Sequence, residues 1–409
     1  MQTMGFLQIC FAFGAVVYLS AISIAQEAAK APDAKSTAPN PFAVTGPKPE
    51  PVETRKAEDV EAAIRRGVGF LLKTQNKDGS WGSARRTKEL NIFAPVPGAH
   101  HAFRMGTTAL ALSAMIEVGG NDPEVQASID RCEKWMVANL PQLRRAEMTA
   151  VYNTWGHAYA IQALVRLHGR TQDPVRRKQY VELIESQIDM LSRYEFVNGG
   201  WAYYDFEHHT QKPGGSPVSF TTATVMIAFY EAKEIGVAIP ERLVKRAQAS
   251  LLRQRLPDFS YAYGEYLRLS PGRGINRPGG SLGRSQVCNV AMRMWGDKET
   301  TDEIVDVWLD RLWARNGWLG IGRKRPVPHE SWFQVAGYFY YYGHFYAAYA
   351  IEQLPAEKRE KHFDQLAHVL ILLQEKDGSW WDYPLYDYHQ AYGTGFALMS
   401  LGRCRVGEK

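Results

Sequence analysis

The residues able to do chemistry in this chain are mostly aromatic residues and histidines. The stretch GYFYYYGHFYAAYAIEQL, Gly337 to Leu354, sets His344 among Tyr338, Phe339, Tyr340, Tyr341, Tyr342, Phe345 and Tyr346. Such a run suits the dry interior of a helical protein, a wall of π faces for an apolar or cationic ligand, or a metal seat. YDYHQAYGTGFALMSLG places Asp387, Tyr388 and His389 together near the C-terminus, and NTWGHAYA carries His157. HExxH and Walker motifs are missing from the sequence. The pairs His100–His101 and His208–His209 read as solvated loop residues. Carboxylates that could work on sugars, Asp205, Glu265 and Glu330, are scattered along the chain without a sugar-specific motif.

These residues have to be held by helices. The chain has 409 residues, 45% hydrophobic and 22% charged, which is typical of a protein that buries a real core. Its net charge of +5 is not gathered into a basic run, which disfavours nucleic acid as a partner. Met4 to Ala25 carries no charge, and Ser23 and Ala25 supply the small residues of a cleavage site. Residues 1–25 therefore read as a signal peptide or an uncleaved membrane anchor, with the protein exported to the periplasm or the exterior. Residues 26–56, rich in Ala, Pro and Lys, read as a disordered or extended linker. Cys132, Cys288 and Cys404 are widely spaced beyond the signal and read as buried free thiols.

From residue 57 to 405 a unit of about sixty residues repeats. FLLKTQNKDGSWG at Phe70 returns as LILLQEKDGSWWD at Leu370, with weaker echoes at Trp201, Tyr261 and Trp318. Each unit pairs an amphipathic helix with a second helix rich in small residues, such as MGTTALALSAMIEVG and AYGTGFALMSLG. Six such pairs, amphipathic helices outside and small-residue helices crowded inside, predict an all-α (α/α)6 toroid. Gln75 and Gln374 are placed to tie helix ends, Gly79 and Gly378 to make the turn, and Trp81 and Trp380 to cover it.

The pattern RRGVGFLLKTQNKDGSWG resembles the repeat of squalene cyclases and protein prenyltransferase β subunits, over nearly all the chain after Ala57. That resemblance implies a toroid with a central aromatic cavity. The acidic DxDD of squalene cyclases and the magnesium-binding DDxxD are both missing. By position, His389 matches the zinc histidine of the prenyltransferases, while Tyr342 and His344 stand for their Asp and Cys. The resemblance thus offers His344, His389 and Asp387 as catalytic groups and a zinc ligand set. Tyr342, Phe345, Tyr388, Arg284 and His157 would be ligand contacts, with the loop trio Arg323, Lys324 and Arg325 as a pointer to a diphosphate site.

The leading expectation is an exported protein holding a hydrophobic, isoprenoid-like ligand, with terpenoid cyclase- or transferase-like activity in view. Two alternatives stand beside it. One is a non-catalytic scaffold for another protein or an envelope component. The other is a polysaccharide-active toroid using Tyr, Trp and the carboxylates Asp205, Glu265 and Glu330.

Overall fold

A computed structural model describes residues 40–405, except 90–91, 208–211 and 330–333. The signal or anchor, most of the linker, the pair His208–His209 and Glu330 lie outside the described residues. Among those described there are fourteen α-helices and no strands, only three isolated bridge pairs. After a short α1 (Pro41–Val44), the outer helices are α2 (Ala57–Thr74), α4 (Pro123–Asn139), α6 (Pro174–Arg193), α8 (Glu241–Gln254), α10 (Asp302–Ala314) and α13 (Ala356–Leu372). The inner helices are α3 (Gly98–Val118), α5 (Asn153–Arg170), α7 (Ser219–Glu234), α9 (Pro278–Met294), α12 (Tyr340–Glu352) and α14 (His389–Arg403). The short α11 (Asn316–Gly320) precedes α12.

The two helix classes follow from their sequences. In α8, Leu243, Val244, Ala247, Ser250, Leu251 and Gln254 form one buried stripe and the charged residues face out. In α12 every residue from Tyr340 to Ile351 is buried, so it packs on all sides. Outer helices start on conventional signals. Asp122 and Asp173 cap α4 and α6 just before a proline, and Thr301 caps α10. Each inner helix touches the next, and α14 returns to α3, which closes the ring. Small residues permit this crowding. A Cβ on Gly343 would stand 2.6 Å from the Gly283 Cα, where α12 meets α9.

The repeat is visible bond by bond. Trp81, Trp201 and Trp380 are each fully buried, and their indole N–H donates to the Leu71, Leu191 and Leu370 carbonyls at 2.9, 2.8 and 2.8 Å. Their backbone N–H groups meet the hydroxyls of Thr108, Thr222 and Thr394 on the following inner helices. Gln75 donates to Gly79 and to Ser128 of the next outer helix, and Gln374 makes the same bonds to Gly378 and Ala63. The sixth turn is thereby sewn to the first outer helix. Gly79 and Gly378 have φ of +96° and +91°, and a Cβ on either would collide with a carbonyl of the neighbouring outer helix. The fifth marker differs. Trp318 is 38% exposed on α11 and does not cover a turn.

Residues 41–56 run along the outside. Arg311 of α10 donates to the Thr45 carbonyl at 2.7 Å, Lys48 pairs with Asp310, and Arg55 pairs with Asp364 and bonds the Cys404 carbonyl. The three cysteines are free and buried. Among the described residues no helix is long and apolar enough to cross a membrane.

Candidate functional site

All six inner helices run the same way, so their N-termini gather at one end of the lumen. There a cavity of about 360 Å³ opens. Its wall comes from the N-terminal parts of α3, α5, α7, α12 and α14 and from the loops that feed them. It holds nine tyrosines, Trp155, several phenylalanines and His329, and no Asp, Glu, Lys or Arg among the described residues.

One side of this wall carries a hydrogen-bonded chain. Tyr203 bonds Tyr263 phenol to phenol, Tyr263 reaches Tyr338 at 3.3 Å, and Tyr338 reaches His329 Nε2 at 3.1 Å. His329 Nδ1 lies 2.6 Å from the Gln334 carbonyl, which can only accept, so Nδ1 carries the proton and Nε2 accepts from Tyr338. Burial lowers the pKa of His329, and Arg284 adds to that, so the imidazole is neutral near pH 7. Burial pushes the Tyr263 phenol up to about 12. The chain of hydroxyls therefore ends on a base able to take a proton. Sequence reasoning named Tyr338 only as one ring of an aromatic run and missed Tyr203, Tyr263 and His329. The available signal was register, since Tyr203 and Tyr263 each stand two positions after a repeat marker.

Two buried charges lie behind the wall. Asp382 accepts from the Tyr392 phenol at 2.7 Å and from the Tyr341 N–H at 3.0 Å, and burial raises it to about 7. Arg284, fully buried, donates to the Tyr261 and Gly280 carbonyls at 2.9 Å and also to that of Ile275. Its guanidinium sits 5.7 Å from the Tyr263 ring and 6.0 Å from the Phe339 ring.

The opposite end is filled with charge. Arg166 bonds Glu117 at 2.6 Å, Glu231 at 2.8 Å and the Tyr349 phenol at 3.0 Å. Arg403 bonds Glu117 at 2.8 Å and Glu352 at 3.2 Å. Burial pushes Glu117 up, but Arg403 and Arg166 outweigh it and hold the carboxyl below its usual range.

The residues expected from sequence scatter around this frame. Tyr342 does line the cavity, its phenol bonded to Thr224 and the Phe220 carbonyl. Phe345 is buried beneath it against Phe396 and near Arg403. Tyr388 sits beside the wall, its phenol 3.1 Å from His100 Nδ1. His100 and His101 belong to α3 rather than to a loop. His157 faces the outer layer, bonded to Gln187 of α6 at 2.7 Å and stacked on Tyr194. Arg323 lies over the Tyr340 ring and Lys324 pairs with Glu375, so two of the basic trio are spent within the protein. Asp205 pairs with Arg145 and accepts three backbone N–H groups, while Glu265 is held by Arg253 and Arg268. Neither carboxylate lines the cavity.

The expected zinc set does not fit. His344 Nδ1 lies 2.7 Å from the Tyr340 carbonyl and Nε2 lies 2.8 Å from Asn316 Nδ2, which leaves no free lone pair on the imidazole. His389 Nδ1 is bonded to the Tyr386 carbonyl and Asp387 pairs with Arg85. His344, His389 and Asp387 do not converge. Among the described residues the one group of His and acids at ligand spacing is Asp306, Asp310 and His362 on the outer face. It is already neutralised by Lys48, Lys358 and Lys361, and Trp313 and Asp306 occupy both nitrogens of His362.

No family model matches the chain. Its toroid is similar to that of the GH76A α-1,6-mannanase from Salegentibacter sp. HEL1_6, with a TM-score of 0.52 at 10% identity over 84% of this chain and 98% of that one. It is similar to a D-mannose isomerase at a TM-score of 0.51 and 12% identity over 86% and 98%. A GH76 α-mannanase from Bacteroides thetaiotaomicron matches at 0.50 and 11% over 85% and 95%. At these identities the likeness establishes the toroid. It also corrects the leading functional expectation: these toroids, which share the architecture over most of both chains, are mannanases and a sugar isomerase. The isoprenoid ligand and the terpenoid cyclase or transferase chemistry are withdrawn with it. The squalene-cyclase-like repeat pattern thus describes the scaffold, an α/α toroid, and gives no evidence of that family's chemistry.

Proposed function

We propose that the protein is an exported, carbohydrate-active toroid that takes a saccharide into the tyrosine-lined mouth of its lumen. The observation that carries this is the Tyr203–Tyr263–Tyr338–His329 chain set into an aromatic wall. Sugars offer C–H faces that pack on rings and hydroxyls that exchange hydrogen bonds, and this wall presents both kinds of partner. Tyr338 is the phenol best placed to trade a proton with a bound hydroxyl, because His329 beside it is neutral and accepting. A mannanase of this fold is inactive when two consecutive aspartates are replaced. This chain contains no two consecutive aspartates, and the described wall holds no carboxylate. Its acid–base equipment is a tyrosine and a histidine instead.

The test is calorimetry of the full chain against oligosaccharides spanning neutral, acidic and amino sugars. At least one should bind, and Tyr338→Phe should weaken that binding about tenfold through loss of one hydrogen bond. A panel in which none binds would sink the reading.

A further inference from the structure

We infer that the saccharide taken by the mouth is acidic, a sugar chain bearing carboxylates, and that Arg284 supplies the charge that selects it. This rests on the saccharide reading above. Arg284 and Arg311 are both buried. Arg311 has a carboxylate, Asp258, at 3.8 Å. Arg284 has none among the described residues. Each of its three nitrogens donates to a backbone carbonyl, which spreads the charge but does not cancel it.

That uncancelled charge stands directly behind the cavity wall, 5.7 Å from the Tyr263 ring and 6.0 Å from the Phe339 ring. Burial lowers the guanidinium only to about 10, so it stays charged at neutral pH. The inner helices add to the field in the same sense, since their N-terminal, positive ends surround the mouth. Among the described acids near the wall, Asp205 and Glu265 are paired with arginines. Asp382 is pushed up to about 7 by burial and is bonded to Tyr392, so it opposes Arg284 only partly near neutrality. His329 is neutral. An aromatic wall with positive charge behind it suits a ligand that pairs C–H faces with negative groups. Charge seen across a partly desolvated cavity discriminates on the order of tenfold or more.

Calorimetry on the wild-type chain should compare oligouronates with neutral oligosaccharides of equal length. The acidic ligand is expected to bind at least about tenfold more tightly. Arg284→Gln, if folded by circular dichroism, should lose that preference while keeping the neutral-sugar affinity. The wild-type comparison stands alone should the variant fail to fold. Equal or tighter binding of the neutral sugar would overturn the inference and leave the saccharide reading in place. A folded Arg284→Gln that keeps the preference overturns the role of Arg284. Binding of neither ligand class, with none elsewhere in the panel, brings down both readings.

Discussion

The two ends of the lumen are built from the same five inner helices, α3, α5, α7, α12 and α14, and solve opposite problems. At the N-terminal end the helices and the loops that feed them present rings, phenols and one neutral imidazole around an open cavity. At the C-terminal end Arg166, Arg403, Glu117, Glu231 and Glu352 fill the space with paired charge. The two arginines there also complement the negative ends of the helices. The turns differ in the same way. Those leading to the mouth press their glycines, Gly79, Gly199 and Gly378, against carbonyls of the next outer helix. Those at the other end use Gly120, Gly236 and Gly296, also at positive φ, with nothing within 4 Å of a Cβ. The open end is therefore held in shape from outside, by turns locked to neighbouring units. The charged end is held from inside, by ion pairs, and needs no such lock.

The contrast can be broken most severely at the ionic end. Arg166→Met leaves Glu117 and Glu231 short of a partner in a desolvated site and is expected to cost about 3–5 kcal/mol in urea unfolding. A loss below about 1 kcal/mol would show that these charges are solvated. At the turns, Gly378→Ala should cost about 3 kcal/mol because both φ and space forbid it, whereas Gly236→Ala should cost about 1 kcal/mol for φ alone. Equal losses would remove the distinction between locked and free turns.

Acid should separate the two ends by pH. His157 and His344, in the first turns of α5 and α12, are lowered to about 4 by burial. Unfolded histidine titrates near 6.5, so each histidine makes stability fall as pH drops from about 6.5 towards 4, by roughly 1.4 kcal/mol per unit. Asp382, raised to about 7, works in the opposite sense over the same range and offsets about one of the two. Glu117, held below its usual value, contributes stability present above the unfolded carboxylate pKa and lost only as pH falls below it. His344→Gln, if folded, should flatten the loss above pH 4 and leave the steeper loss below it; unchanged slopes would reject the assignment. The smallest effect is expected on the outside. Lys48→Ala removes an ion pair whose lysine is largely exposed and should cost under about 1 kcal/mol in thermal unfolding.

Much of the scaffold was legible because it is local. The Gln–turn–Gly–Trp unit makes the same bonds at Trp81 and Trp380 as its wording suggests, and the small-residue helices form the inner ring. Legibility failed where a residue's neighbours come from distant units. His344 sits in a suggestive run, yet its partners are Asn316 and the carbonyl of Tyr340, and it lies away from His389. Trp318 follows an Asn-Gly pair like the better markers but rides on an exposed short helix. His157 turns to the outer layer because the adjacent α6 offers Gln187.

The amino-acid order alone determined the helix pairs, their number, their inner and outer assignment and the closing of turns, since each depends on spacings within one unit of about sixty residues. Only the tertiary structure decided the site. Tyr203, Tyr263, Tyr338 and His329 come from three units, and Arg284 stands behind them from a helix that contributes no wall residue. A hydrogen-bonded chain and an uncancelled buried charge depend on distances across the ring, which no local spacing encodes.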